Sequence, residues 1–325
     1  MNKVVLLADP KSNAWGFADK IREFLSQEKK FNVPLEVVNV RYFPNQEVDL
    51  EVPKNVREKD VYFVHDSTKN SQEWWVELLC LSNLLHLASA NNINYVLPDM
   101  KYSRQDRKPK SRVPITANAL AFSLAQYPRI KKIFTMDLHS PQIQGFYAPL
   151  IALETLPSSP SLVAFLREKS GISDLEDMVV VAADKGDVER TEDLCTRLKL
   201  KNPPANIYKQ RELDGSRKIK KMELIGNVRG KKVLIPDDII DSGKTICNAG
   251  NLLLENGATE LNCYGTHGWF SNGTEALTNC FNRIIVSNTH NKDYGEKIQV
   301  MDVTPIFAKA IHNAQTGESV SELYK

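Results

Sequence analysis

The sequence predicts an α/β protein made of two tandem domains, each a mainly parallel sheet covered by helices on both faces. Short apolar runs alternate with amphipathic stretches from one end of the chain to the other. The apolar runs are almost unbroken, which is typical of strands buried on both faces of a parallel sheet. The length of 325 residues suits two domains of ordinary size, each with its own core.

In the first half, strands and helices follow one another regularly. The predicted strands are Lys3–Ala8, Pro34–Val40, Val61–His65, Ile93–Leu97 and Lys132–Met136. The predicted helices are Ala14–Leu25 and Trp74–Ala90, whose apolar residues recur at helical spacing. Pro114 is expected to open a third helix, since proline favours the first helical position.

The second half repeats the scheme after a break. Periodicity lapses across Pro149–Pro160, where prolines and serines predict a turn-rich connection and a domain boundary. The predicted strands that follow are Met178–Ala183, Val233–Ile235 and Leu261–Thr266. A helix is predicted over Ile246–Glu255 and is expected to end at Gly257, since glycine favours the position after a helix.

Composition and charge exclude several classes of protein. The chain is 42% hydrophobic and 25% charged, with 42 Lys and Arg against 40 Asp and Glu, so its charge balance favours neither nucleic acid nor an anionic membrane. The 5 cysteines form no CxxC pair and no zinc spacing, which predicts reduced structural thiols. No apolar run is long enough for a signal peptide or a membrane span, so we expect a cytoplasmic protein.

One loop carries a pattern that suits a sugar phosphate. The strand Val233–Ile235 runs into the acids Asp237 and Asp238 and then into a small-residue turn that opens a helix. Backbone N–H groups at such a helix start bind anions, and Ser242 and Thr245 add hydroxyl donors. The two acids suit sugar hydroxyls or a substrate-bound metal. Phosphate and diol are the two ends of ribose 5-phosphate, although an acidic turn with a capping serine is the plainer alternative.

Two further loops follow predicted strands at the edge where parallel sheets bind ligands. The segment Tyr102–Lys108 packs three cations into seven residues and predicts a polyphosphate clamp, whereas taken alone it also fits a solvated charged face. His139 lies in the loop after Lys132–Met136. Its position beside the basic loop favours a metal or phosphate ligand over a buried structural histidine.

These motifs resemble known families. Residues 237–245 resemble the phosphoribosyl pyrophosphate loop of the type I phosphoribosyltransferase superfamily. RQDRK, then Pro-Ile-Thr-Ala, then DLHxxQIQGF resemble the ribose-phosphate pyrophosphokinase family, and the similarity extends from Tyr42 to Ser321. The resemblance implies two type I phosphoribosyltransferase-like domains, here 1–155 and 156–303, with 304–325 returning to the first. It also implies an active site between the domains and a homo-oligomer, at least a dimer, with shared sites.

The resemblance also assigns roles by position. It implies ATP binding by Phe43, Asn45, Glu47, Arg104, Gln105, Asp106 and His139, the first three reaching into a neighbouring subunit. It implies binding of ribose 5-phosphate by Asp184, Asp237, Asp238, Asp241, Ser242, Gly243, Lys244 and Thr245. The implied metal ligands for Mg²⁺ are His139 and Asp184. Lys209 and Arg211 take the places of the catalytic Lys-x-Arg pair on a mobile loop.

The implied reaction is transfer of the β,γ-pyrophosphoryl group of MgATP to the 1-hydroxyl of ribose 5-phosphate. The alternatives are a salvage phosphoribosyltransferase, a regulatory associated subunit and a nucleic-acid-binding regulator. The paired RQDRK and DLH loops argue against the first, and retention of the catalytic positions argues against the second. The near-neutral charge argues against the third.

The chain departs from the family pattern at several positions. Asn45 stands where an acid is usual, Lys185 and Asp187 replace small residues, and Lys244 replaces a glycine. Met100 and Lys101 replace an aromatic–glycine pair near the site through which phosphate and ADP regulate the allosteric members. We therefore expect activity that does not depend on added phosphate.

Overall fold

A computed structural model describes residues 3–211 and 219–324, with only the backbone described at 210, 211, 219, 220 and 324. The chain forms two compact units. Unit 1 comprises Met1–Pro157, Asn288–Lys292 and Val303–Lys325. Unit 2 comprises Ser158–Ser287 and Asp293–Asp302.

Strands and helices alternate through both units. The strands are β1 (Val4–Ala8), β2 (Leu35–Val37), β3 (Asn39–Tyr42), β4 (Val48–Glu51), β5 (Asp60–Val64), β6 (Ile93–Val96), β7 (Ile130–Met136), β8 (Ala152–Leu156), β9 (Val179–Ala182), β10 (Ala205–Arg211), β11 (Ile219–Ile225), β12 (Lys232–Ile240), β13 (Glu260–Gly268), β14 (Arg283–Ser287) and β15 (Ile298–Met301). The helices are α1 (Asn13–Gln27), α2 (Ser71–Leu87), α3 (Thr116–Ala125), α4 (Gln144–Tyr147), α5 (Ser159–Glu168), α6 (Val188–Leu198), α7 (Lys244–Glu255), α8 (Glu275–Cys280) and α9 (Thr304–Thr316).

The unit 1 sheet contains six parallel strands in the order β2-β1-β5-β6-β7-β8. The carboxyl ends of all six strands therefore lie along one edge. The order changes direction between β1 and β5, and such switch points are where open α/β sheets bind ligands. Strands β3 and β4 form a separate antiparallel hairpin.

The C-terminal helix completes unit 1. Helix α9 packs against α1, where the rings of Phe307 and Phe17 meet edge to face with centroids 5.4 Å apart. Further along α9, the amide of Gln315 donates to the hydroxyl of Tyr62 in β5 at 2.8 Å. These contacts attach residues near the end of the sequence to the first sheet.

The unit 2 sheet contains seven strands in the order β11-β10-β9-β12-β13-β14-β15. All neighbours are parallel except β10 and β11, which form an antiparallel pair. The interior strand β9 consists of fully buried valines and an alanine. The predicted α/β architecture with mainly parallel sheets is confirmed.

Several predicted boundaries differ from the structure for identifiable reasons. Pro34–Val40 is not one strand, because Val38 donates to the carbonyl of Ala8 and separates β2 from β3. Strand β8 lies inside the segment predicted to be a turn-rich connection, since the flanking prolines, 149 and 157, bound it without interrupting it. Helix α2 begins at Ser71 because the side chain of Asn70 caps it by accepting from the amide of Gln72.

Among the described residues, no helix combines the length and apolar composition that crossing a membrane requires.

Candidate active site

Strand β12 carries the acid pair inside the unit 2 sheet. The sequence predicts that the strand ends at Ile235, but it continues to Ile240 because it pairs with β13 throughout, with Asp237 opposite Gly265. A Cβ atom at Gly265 would lie 2.6 Å from Cγ1 of Ile240, so glycine is needed there for the two strands to stay paired. The acids are therefore held on a rigid strand rather than in a loop.

Three carboxylates meet at this edge of unit 2. Asp187, in the turn after β9, lies with Asp237 and Asp238 so that one oxygen of each falls within 4.8 Å of the others. Asp187 and Asp238 are 4% and 6% exposed. Arg190, on the first turn of α6, donates to Asp187 at 2.9 Å. Among the residues assigned from the sequence, the structure brings Asp237 and Asp238 together and adds Asp187 to them.

Burial and mutual repulsion raise the pKa values of two of these acids. Burial raises the pKa of Asp187 to about 7, Arg190 opposes the rise, and the charges of Asp184 and Asp238 add to it. Burial, followed by the charges of Asp187 and Asp238, raises the pKa of Asp237 as well. The carboxylate oxygens are the donors that Mg²⁺ prefers, so this cluster fits a bound divalent cation that would relieve the repulsion.

The start of helix α7 provides an anion site next in sequence. Gly243 caps the helix with φ of 74°, and a Cβ there would lie 2.9 Å from Cγ of Leu277. The side chains of Ser242, Lys244 and Thr245 are exposed around this turn. Backbone N–H groups at the start of a helix lack partners within it, and with a lysine nearby they favour a bound phosphate.

Lys209 lies in strand β10 rather than in a loop. Its backbone pairs with Met222 of β11, and its charge acts on Asp187 in opposition to the neighbouring acids. The backbone of Arg211 ends the same strand, while its side chain and residues 212–218 lie outside the described part of the chain. The charge of Lys209 therefore acts on the acid cluster. The side chain of Arg211 lies outside the described residues, so its relation to the cluster stays a prediction.

Asp184 and Asp241 occupy the rim of the same unit. Asp184 is exposed and accepts from the amide of Gly186 at 2.8 Å, which closes the turn after β9. Beside it, the ammonium of Lys185 lies 5.6 Å from the ring centroid of Tyr208. Asp241 accepts a hydrogen bond from the hydroxyl of Ser271.

In unit 1, the basic loop and His139 follow neighbouring strands. Arg104 and Gln105 are exposed between β6 and α3, whereas Asp106 is half-buried. The loop is tied to α3, since Ala117 donates to the carbonyl of Gln105 at 3.3 Å. His139 is exposed in the loop after β7. Because β6 and β7 pair in parallel, both loops leave the same edge of the sheet.

The remaining predicted nucleotide contacts lie at the tip of the β3–β4 hairpin. Phe43 donates its amide to the carbonyl of Glu47 at 2.8 Å, and the Asn45 side chain accepts from the amide of Glu47 at 3.2 Å. Phe43 is 51% exposed, an unusual state for a large apolar side chain that suits contact with a planar ligand.

Two parts of the chain match known domain families. Residues 12–127 match the N-terminal domain of ribose phosphate pyrophosphokinase, and residues 201–325 match the phosphoribosyl synthetase-associated domain. A ribose-phosphate pyrophosphokinase of Cereibacter sphaeroides is 35% identical over 95% of this chain and 91% of its own length. The chain belongs to the ribose-phosphate pyrophosphokinase family.

A second relative and a solved structure show the same similarity. Ribose-phosphate pyrophosphokinase 4 of Saccharomyces cerevisiae is 36% identical over 91% of this chain and 89% of its own length. The crystal structure of phosphoribosylpyrophosphate synthetase from Mycobacterium smegmatis superposes with a TM-score of 0.82 at 29% identity, covering 98% of this chain and 100% of that one. The fold of the family, predicted from the sequence motifs, is confirmed for this chain.

Asp187 is the site residue that the sequence motifs do not indicate. The sequence marks it only as a departure from the family, where a small residue is usual. Its proximity to Asp237 follows from the parallel pairing of β9 with β12, in which Val179 lies opposite Val233. The available signal was an acid two residues after Lys185, in a turn that follows a strand without charged residues.

Proposed function

We propose that this chain is a ribose-phosphate diphosphokinase, which transfers the β,γ-pyrophosphoryl group of MgATP to the 1-hydroxyl of ribose 5-phosphate and releases AMP. Family membership over nearly the whole chain supports an enzyme of this class. The observation that carries the proposal is the continuity of β12 and α7, which provides carboxylates for sugar hydroxyls and, a few residues later, a helix start for the 5-phosphate.

Unit 2 would bind the sugar phosphate. The 2- and 3-hydroxyl groups would donate to Asp237 and Asp238, whose fixed positions on β12 orient the ring. The 5-phosphate would bind at the turn and helix start formed by Asp241, Ser242, Gly243, Lys244 and Thr245. This arrangement leaves the 1-hydroxyl, the attacking group, nearest the acids rather than the phosphate site.

Unit 1 would bind the nucleotide. Arg104 would pair with the polyphosphate through its planar fork, which matches phosphate oxygens better than a lysine does. Gln105, Asp106, Asn45 and Glu47 would complete the polar contacts. The ring of Phe43 would stack on the base.

Catalysis in this proposal consists of positioning and charge neutralisation, since phosphoryl transfer requires little covalent chemistry from the protein. His139 in unit 1 and Asp184 in unit 2 are each proposed as Mg²⁺ ligands, and the acid cluster of unit 2 offers a further cation site. Bound Mg²⁺ would neutralise charge on the phosphate oxygens. Lys209 and Arg211 would stabilise the charge that develops on the bridging oxygen as AMP leaves.

The test is the identity of the nucleotide product. Purified protein incubated with ATP, ribose 5-phosphate and Mg²⁺ should release AMP, and omission of either the sugar phosphate or the metal should stop the release. Formation of ADP would instead indicate a simple kinase. Pyrophosphate release that depends on a purine or pyrimidine base would indicate a salvage transferase.

We further propose a cytoplasmic homo-oligomer whose sites are shared between neighbouring chains. Phe43→Ala/Glu47→Ala and Lys209→Ala chains should each be inactive, and mixing them with subunit exchange should restore activity. Hetero-oligomers that form without recovering activity would show that each chain carries a complete site.

A further inference from the structure

A buried charge network lies at the strand-order switch of unit 1. Lys69, in the loop after β5, donates to both carboxylate oxygens of Glu77 at 2.7 and 2.8 Å. Its ammonium is also 3.7 Å from the carboxylate of Asp9, which follows β1. The exposed fractions of the side chains are 16% for Lys69, 10% for Asp9 and 2% for Glu77.

Glu77 is unusual in its helix. Helix α2 has the sequence SQEWWVELLCLSNLLHL, and the neighbours of Glu77 on its buried face are Trp74, Leu78 and Leu81. An isolated carboxylate in such surroundings is costly, and even a paired one contributes little net stability compared with an apolar residue. Stability alone is therefore a weak explanation for an acid at this position.

The network extends to the β3–β4 hairpin. The hydroxyl of Tyr42, the last residue of β3, donates to Glu77 across 35 positions of sequence. Burial and the hydrogen bond to Glu77 raise the pKa of Tyr42, so its phenol keeps the proton that it donates. Hydrogen bonds from neutral donors to charged acceptors are stronger than neutral pairs.

The other neighbour of Glu77 does not compete for this bond. His65 lies 3.8 Å from Glu77 but is fully buried and stacked on Trp74, with its Nε2 at 3.0 Å from the carbonyl of Trp74. Burial lowers the pKa of His65 to about 3, so its ring is neutral. Lys69 and Tyr42 are therefore the strong donors to this carboxylate among the described residues.

We infer that Glu77 is a positioning residue that holds Tyr42 and thereby orients the hairpin tip, Phe43–Glu47, for nucleotide binding. Tyr42 adjoins Phe43 in the chain, so fixing its phenol against α2 restricts the backbone from which the exposed ring of Phe43 projects. The hairpin belongs to no larger sheet, and it packs on α2 through side chains such as Val40 and Leu50. This inference rests on the proposed nucleotide-binding role of the tip.

The first test measures the hairpin itself. Tyr42→Phe removes one hydroxyl from a side chain that is 39% exposed, so the variant should fold. Amide hydrogen exchange in the full-length protein should accelerate about tenfold in peptides covering residues 39–51. Tyr127→Phe, which removes a phenol hydroxyl elsewhere in unit 1, should leave the exchange unchanged. Equal exchange in the wild type and Tyr42→Phe would overturn the inference whether or not the protein makes AMP.

The second test measures the consequence for nucleotide binding. Tyr42→Phe should raise KM for ATP about tenfold while kcat and KM for ribose 5-phosphate change less than twofold, since the sugar phosphate site does not include the hairpin. The same substitution in a Phe43→Ala background should have a smaller effect on KM for ATP, because one of the groups that Tyr42 orients is already missing. Additive effects, or an unchanged KM, would show that the network stabilises the fold only.

Failure of the proposed function would be recognised separately. The wild type could form no AMP while its hairpin exchange still responds to Tyr42→Phe. The anchoring role of Glu77 would then stand, and ATP affinity would be measured by calorimetry in place of KM. Tyr42→Phe should weaken that binding by the same factor, and equal affinities would refute the link to the nucleotide.

Discussion

At the carboxyl edge of the unit 1 sheet, a lysine lies between two acids, whereas at the corresponding edge of unit 2 three acids lie together. Lys69 neutralises Glu77 and approaches Asp9. Asp187, Asp237 and Asp238 lie close together, Arg190 pairs with Asp187, and the charge of Lys209 also acts on Asp187. At the first edge a lysine separates the acids, which suits a scaffold that presents exposed cations to a polyphosphate. At the second the acids adjoin one another, which suits a substrate that brings hydroxyl donors and a divalent cation.

Substitution of Lys209 should have the largest effect. If its charge acts mainly on the transition state, Lys209→Ala should lower kcat by about three orders of magnitude with little change in either KM, by analogy with arginine fingers. Initial rates of AMP formation provide the measurement. Lys221→Ala, on the adjacent strand of the same hairpin, is the matched control and should lose less than threefold. A large rise in KM at constant kcat would assign Lys209 to ground-state binding.

Asp187 should give the acid cluster a characteristic pH dependence. Its pKa in the folded protein is raised to about 7, so its contribution to stability is present below its unfolded pKa and is lost as pH rises through about 7. Asp187→Asn should therefore gain stability relative to the wild type between pH 4 and pH 8, on the order of a few kcal/mol. Denaturant unfolding at several pH values measures this difference.

The control for that series is Asp193→Asn, which removes an acid of helix α6 that pairs with Arg197 near the surface. The gain of Asp187→Asn should exceed that of Asp193→Asn and widen as pH rises, because it removes an acid from the crowded cluster. Saturating Mg²⁺ should reduce the gain in Asp187→Asn, because the cation relieves the same repulsion in the wild type. A gain that is insensitive to pH would contradict the raised pKa of Asp187.

These two edges also show which features a sequence reveals. The pattern from Val233 to Thr245 is local, so both the strand and its ligands follow from a single segment. Asp187 joins that site through the pairing of β9 with β12, and Tyr42 meets Glu77 across 35 positions. Such contacts depend on sheet order, which periodicity does not specify. Likewise, the strand around Lys209 exists because β11 pairs with it, and its own residues do not predict that partner.

The glycine at the start of α7 should show a smaller effect on binding. Gly243→Ala would place a methyl group 2.9 Å from Leu277 and force a residue with a Cβ into a left-handed conformation. We expect KM for ribose 5-phosphate to rise about tenfold, since the backbone donors of the turn would shift. Gly273→Ala is the matched control. It introduces the same backbone strain, since φ of Gly273 is 77°, but nothing lies within 4 Å of the added atom. Equal effects of the two substitutions on KM would show that strain alone is responsible.

Added inorganic phosphate should leave the rate of AMP formation unchanged, which is the smallest of the expected effects. Lys101 is 5% exposed, and its ammonium donates to the carbonyl of Ser67 at 2.9 Å, while the Met100 sulfur accepts from the hydroxyl of Tyr147 at 3.6 Å. Both side chains thus point into unit 1, and burial lowers the pKa of Lys101 to about 8, which weakens it as an anion ligand. Because the Lys101 ammonium is engaged inside unit 1, we expect the rate to stay constant as phosphate is raised from zero to tens of millimolar.

ADP should inhibit by simple competition with ATP, because we propose that both nucleotides bind at the same site. Initial rates against ATP at several ADP concentrations should give hyperbolic curves with a common maximum. Sigmoidal curves, or an absolute need for phosphate, would mean that the chain binds a regulatory anion through groups other than Met100 and Lys101. In that case Lys101→Ala, which removes a buried internal donor, should still leave the phosphate response intact.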